Sequence, residues 1–108
     1  MYAIVETPLF TKLWPRCWRA DERGAFATFL ARNPEASEVI PGTDGLRRVR
    51  WSRAGSRKSA GVRVIDFTPF AAGNLLLLIL YAESERGNLS AKQLLEIRHA
   101  IEHATTDR

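Results

Sequence analysis

Between Leu46 and Arg63 the chain carries seven cations (Arg47, Arg48, Arg50, Arg53, Arg57, Lys58 and Arg63) and no acid. The rest of the chain holds nine of the 16 bases and all 12 acids, a net of −3 against +4 for the whole. The positive charge is therefore local, as expected of a surface that meets a polyanion such as RNA. The alternative is an ordinary solvated basic face. Two features favour binding. Six of the seven are Arg, whose planar fork matches phosphate oxygens in pairs, and the run crosses expected strands rather than a tail. RNA can be cut without a metal when its own 2′-hydroxyl attacks the neighbouring phosphate. A protein must then align the attack, stabilise the extra negative charge on phosphorus and ease departure of the 5′-oxygen. Guanidinium and ammonium groups suit the second task, and Tyr81 is available to position a group or stack on a base. No His lies in the patch, so a histidine pair is not available there. Composition alone leaves binding and catalysis both open.

A second constellation lies near the C-terminus. His99-Ala100-Ile101-Glu102-His103 matches the H-x-x-E-H zinc-peptidase pattern, and histidines four apart share a helix face that can grip Zn²⁺. Only five residues follow His103, and a peptidase cleft needs more chain. Two surface histidines, with no metal and no other cofactor, are the expectation. Cys17 is alone, which excludes an internal disulfide and fits a reducing compartment and a packing role. The sequence contains no Cys/His cluster, phosphate-cradling glycine loop or nucleophile elbow.

The elements that position these groups follow from periodicity. Residues 2–5 read as a short first strand. Phe10, Leu13, Trp14, Cys17 and Trp18 recur at helical spacing, with a break expected at Pro15. Asp21 is the expected N-cap of a second helix that buries Phe26, Phe29 and Leu30 and stops at Pro34. The aromatics of this half are expected in the core rather than as a base-stacking platform. Pro41–Gly45 forms a turn cluster. Leu46–Arg53 follows as a strand with Arg48 and Arg50 on one face and Val49 and Trp51 on the other. A basic loop, Ala54–Ala60, leads to strands Gly61–Thr68 and Asn74–Tyr81, whose short connections favour antiparallel neighbours. Ser90 and Gln93 make a capping box for a last helix with Leu94, Ile97 and Ile101 on its buried stripe. The expected fold is α+β, a small antiparallel sheet packed by N-terminal helices and one C-terminal helix.

The 108 residues suit one domain with one modest core. The first residues lack a basic and apolar leader, so no signal peptide is expected. The longest apolar run, Leu75–Tyr81, is far shorter than the roughly 18 residues of a spanning helix. A cytoplasmic protein with no membrane partner is expected.

At Gly42-Thr43-Asp44-Gly45-Leu46-Arg47-Arg48-Val49-Arg50-Trp51 the sequence resembles the HigB-type branch of the RelE-like toxins of bacterial toxin–antitoxin systems, whose strand typically reads G-T-x-G-L-R-K-[IV]-R-W. The likeness continues through Arg57-Lys58-Ser59-Ala60-Gly61 into Val62-Arg63-Val64-Ile65, and resumes at Leu77-Leu78-Ile79-Leu80-Tyr81-Ala82-Glu83-Ser84-Glu85 and Asn88-Leu89-Ser90. The resemblance implies a RelE-like metal-independent endoribonuclease that cleaves mRNA on the ribosome and is neutralised by a helix-turn-helix antitoxin. It implies that Arg63 lies near the scissile phosphate and that Lys58 and Tyr81 join it. It places Arg48 and Arg50 in the basic strand; the charge run itself adds Arg47, Arg53 and Arg57 as expected RNA contacts. Two positions depart from the pattern. Relatives usually have Lys where this chain has Glu83, either a general base or an anion facing phosphate, and Asp66-Phe67 replaces two aromatics. Asp66 is open to three readings: an ion pair with a nearby Arg, a base, or a solvent-facing acid. These departures admit an alternative, a non-catalytic relative that binds RNA or its antitoxin.

Overall fold

The computed structural model describes residues 2–52, 61–68, 73–85 and 87–106. The chain runs through β1 (Ala3–Glu6), α1 (Pro8–Leu13), a 3₁₀ turn (Trp14–Arg16), α2 (Ala20–Arg32), a second 3₁₀ turn (Pro34–Ala36), β2 (Glu38–Val39), β3 (Arg47–Ser52), β4 (Gly61–Phe67), β5 (Asn74–Ala82) and α3 (Ala91–Thr106). The α+β expectation holds. Among these residues the sheet has five strands in the order β1-β5-β4-β3-β2.

One pairing departs from the expected antiparallel sheet. β1 runs parallel to β5, with Ile4 opposite Leu75 and Val5 opposite Leu76. Short connections govern only strands adjacent in sequence, and these two are separated by three other strands and two helices, so no hairpin constrains their direction. β2, two residues long, carried too little pattern to be read in advance. It pairs Glu38 with Arg48 at the far edge.

The helix boundaries follow local chemistry. Thr7 caps α1, its Oγ1 accepting from the Phe10 N–H at 3.1 Å, and Pro8 occupies the first turn, where no N–H is needed. Pro15 does interrupt the stripe, standing at the centre of the 3₁₀ turn Trp14–Arg16 that ends α1. α2 starts at Ala20 rather than after Asp21. Arg19 stands at its cap with its N–H on Glu22 Oε1 at 2.8 Å, and Asp21 and Glu22 meet the positive end of the helix dipole. Ser90 and Gln93 exchange hydrogen bonds at 2.9 and 3.1 Å, the capping box expected at the start of α3.

The sheet separates two cores. On one face Val49, Val62, Val64, Leu77 and Leu80 pack under Phe10, Trp18, Phe26 and Leu30. There Trp18 lies 5.0 Å from Phe26, and Phe26 5.5 Å from Trp51, between ring centres. The aromatics of the N-terminal half are thus core residues. On the other face Ile65, Leu78, Ile79 and Tyr81 pack with Ile40, Leu46, Leu89 and Leu94. Strict alternation could not send both Leu78 and Ile79 to one side. A register shift does so: Ile65 pairs with Ile79 but Asp66 pairs with Leu77, leaving Leu78 extra. No described helix is long and apolar enough to cross a membrane.

Candidate nucleic-acid interface

The register brings the arginines together. Arg50 stands directly opposite Arg63 across β3 and β4, and Arg63 opposite Tyr81 across β4 and β5. Arg48 lies two residues along β3 from Arg50, on the same face. These three arginines line one open cleft of about 400 Å³, together with Glu38 and Asn88. The cleft lies on the α3 side of the sheet. Arg63 Nη1 donates to Asn88 Oδ1, which ties the strand to the segment leading into α3.

Glu83 spans the two arginines. Its Oε1 accepts from Arg50 Nε and its Oε2 from Arg63 Nε, both at 2.8 Å. The guanidinium of Arg50, and then that of Arg63, holds this carboxyl below the usual carboxylate range, so it is ionised at neutral pH. The anion that the sequence placed against a phosphate therefore lies against two cations. A positive patch read residue by residue becomes a partly neutralised cluster, with Arg48, half-buried opposite Glu38, beside it.

The other site residues divide. Arg47 does not join the cleft. It pairs with Asp66 on the opposite face, where its Nη2 donates to the Ser37 carbonyl at 2.9 Å and its Nε to Ser37 Oγ at 3.2 Å. Tyr81 does neighbour Arg63, but it is 7% exposed within the second core, and its hydroxyl is buried without a hydrogen-bond partner among the described residues. The ring is packed rather than open to a base. Arg53, Arg57 and Lys58 lie outside the described residues.

Asp66 is neither a solvent-facing acid nor a neighbour of the cleft. It is fully buried beside Ser37 and Arg47, and burial pushes its pKa up to about 6 against the smaller opposing pull of those two groups. Cys17 is half-buried, and burial, followed by the charge of Glu85, raises its pKa, as suits a packing residue. His99 and Glu102 fall on α3, and among the described residues no three His, Cys, Asp or Glu side chains gather to hold a metal ion.

Sequence reasoning missed Gly61. A Cβ there would stand 2.2 Å from Glu83 Oε1 and 2.8 Å from Arg50 Nη2, so the ion pair crosses the strand only because residue 61 has no side chain. A glycine opening a strand carries no signal of this; it emerges only when β3, β4 and the end of β5 are in register.

No model of a known protein family matches the chain. Among solved structures, a mutant of the E. coli toxin RelE in the free state superposes with a TM-score of 0.59 at 11% identity, covering 95% of this chain and 96% of that one. At that identity the likeness speaks for the fold, and over nearly its whole length this chain has the fold of that toxin.

Proposed function

We propose that this chain is the toxin of a type II toxin–antitoxin pair, of the HigB-type branch of the RelE-like family, and that it cleaves mRNA on the ribosome without a metal. The observation that carries the reading is the convergence of Arg48, Arg50 and Arg63 on one cleft of a fold shared with the E. coli toxin RelE. In this mechanism a 2′-hydroxyl of the RNA gives up its proton to water and attacks the adjacent phosphorus, forming a 2′,3′-cyclic phosphate as the bond to the 5′-oxygen breaks and that oxygen takes up a proton. Arg63 and Arg50 donate to the non-bridging oxygens, whose negative charge grows in the transition state, and Arg48 anchors the strand beside them. Lys58 serves the leaving oxygen from the basic loop, and Arg53 and Arg57 hold flanking phosphates. Tyr81 supports Arg63 from the core. The natural partners are mRNA on the ribosome and a helix-turn-helix antitoxin, and the compartment is the cytoplasm.

Induction in a bacterial host should arrest growth, with relief on co-expression of the antitoxin from the neighbouring gene. Purified protein should cut mRNA in the presence of ribosomes, and Arg63→Ala should lower that rate by about a hundred-fold or more, the scale for losing one transition-state donor. Unimpaired growth together with intact mRNA on ribosomes overturns the reading.

A second reading has its own observation. Glu83 bridges Arg50 and Arg63, which favours a non-catalytic RNA- or antitoxin-binding relative. On that reading Glu83→Lys creates toxicity where the native chain has none. A native chain that is already toxic, or a variant that gains nothing, counts against it.

A further inference from the structure

The Glu83 carboxylate is held as a phosphodiester would be held. Its two oxygens each accept one hydrogen bond from the Nε–H of a different arginine, Arg50 on β3 and Arg63 on β4. A phosphodiester presents the same feature, one negative charge shared over two non-bridging oxygens. The backbone is fitted to this arrangement. Gly61 leaves the space in which Oε1 and the Arg50 guanidinium meet, and its carbonyl accepts the Glu83 N–H at 3.0 Å. The carboxylate is thereby fixed at its root and seated at its tip.

We propose that Glu83 is a built-in occupant of a phosphodiester subsite formed by Arg50 and Arg63, which RNA must displace before both arginines can engage a phosphate. The proposal rests on the reading of the cleft as an RNA site and adds the control of that site. Displacement is physically accessible. The Glu83 side chain is 21% exposed and that of Arg50 53%, so both ends of the pair are partly solvated and weakly held compared with a buried pair. Arg48 carries no such carboxylate among the described residues and offers RNA its first foothold. A lone phosphate competes poorly with a tethered carboxylate, whose effective concentration is high. An RNA strand already anchored at Arg48 competes on equal terms. The device selects polymers over free phosphate.

Gly61 supplies a second handle that alters no charge. A methyl group at residue 61 intrudes on side-chain ends that can move, so Gly61→Ala pushes the carboxylate and the Arg50 guanidinium apart without removing Glu83, Arg50 or Arg63. The test is fluorescence anisotropy with a labelled 2′-O-methyl RNA oligonucleotide, which lacks the attacking hydroxyl and therefore binds without being cut. Glu83→Gln and Gly61→Ala should each bind about ten-fold more tightly than the native protein. Their affinity should fall more steeply with salt, by about one further released counterion. Adding Arg50→Ala to Glu83→Gln should remove the gain. Binding no tighter in both single variants, or by none of the proteins, overturns the proposal. Cleavage of mRNA on ribosomes reports separately. Tighter binding without cleavage leaves the role of Glu83 standing and removes the endonuclease, whereas cleavage with no gain in the variants does the reverse.

Discussion

Two acids, Asp66 and Glu83, lie on opposite faces of the sheet, and their surroundings drive them in opposite directions. Glu83 is kept ionised by two guanidiniums. Asp66 has lost its water without gaining full compensation: Ser37 Oγ reaches one oxygen at 3.4 Å, and the other has no partner among the described residues. Its pKa is about 6 in the folded chain, against an ordinary 3.8. Between those values the folded state binds a proton that the unfolded state does not, so stability falls as pH rises from about 4 to 6 and is level above. The shift corresponds to about 3 kcal/mol at most. Asp66→Asn removes the charge while keeping an oxygen for Ser37. Urea unfolding at pH 4.5 and pH 7.5 should show the native chain losing stability between the two and the variant losing little, with the variant the more stable at pH 7.5. An equal pH dependence in both would mean that Asp66 is solvated.

At the scale of elements, α3 makes the second core possible. Leu94 is fully buried against the sheet, and Ile97 and Ile101 pack beside it. Arg98 stacks 4.0 Å over the Phe67 ring and donates to the Asp44 carbonyl at 3.0 Å, joining the helix to the turn before β3. The two ends of this design have different magnitudes. Leu94→Ala should lower stability by about 3 kcal/mol through lost burial and a cavity. Ser90→Ala should cost about 1 kcal/mol through one lost cap. Denaturant midpoints measure both, and a reversed order would mean that α3 is held by its cap rather than its stripe. Much of this helix was legible, because a capping box and an i, i+3, i+7 stripe are local signals. The face assignment of Arg48, Arg50, Val49 and Trp51 was legible for the same reason. The parallel β1–β5 pair and the extra residue at Leu78 were not, because both depend on register between segments far apart in the chain. Asp21 misled because Glu22 reaches back to Arg19 and starts the helix earlier.

The whole molecule is a sheet with two unlike faces, and this decides what the basic run means. In linear order Arg47 and Arg48 are equivalent neighbours. In the fold Arg47 is spent on Ser37 beneath the α2 side, while Arg48 lines the cleft on the other. Glu83 was visible as an anomaly, but its partners lie 33 and 20 residues away and only the strand register reveals them. Opposite faces imply separable effects. A ligand that binds only the folded state at about a hundred times its Kd stabilises by about 2.7 kcal/mol. At roughly 4 to 8 °C per kcal/mol for a chain of this size, the 2′-O-methyl RNA should raise the native Tm by about 10 °C or more. Arg47→Ala should lower the Tm without RNA, by losing its bonds to Ser37, yet keep the full rise when RNA is added. Arg48→Ala should leave the starting Tm nearly unchanged and lose most of the rise at the same RNA concentration. Equal loss of the rise in both variants would mean that charge alone, and not the face on which it is presented, recruits the RNA.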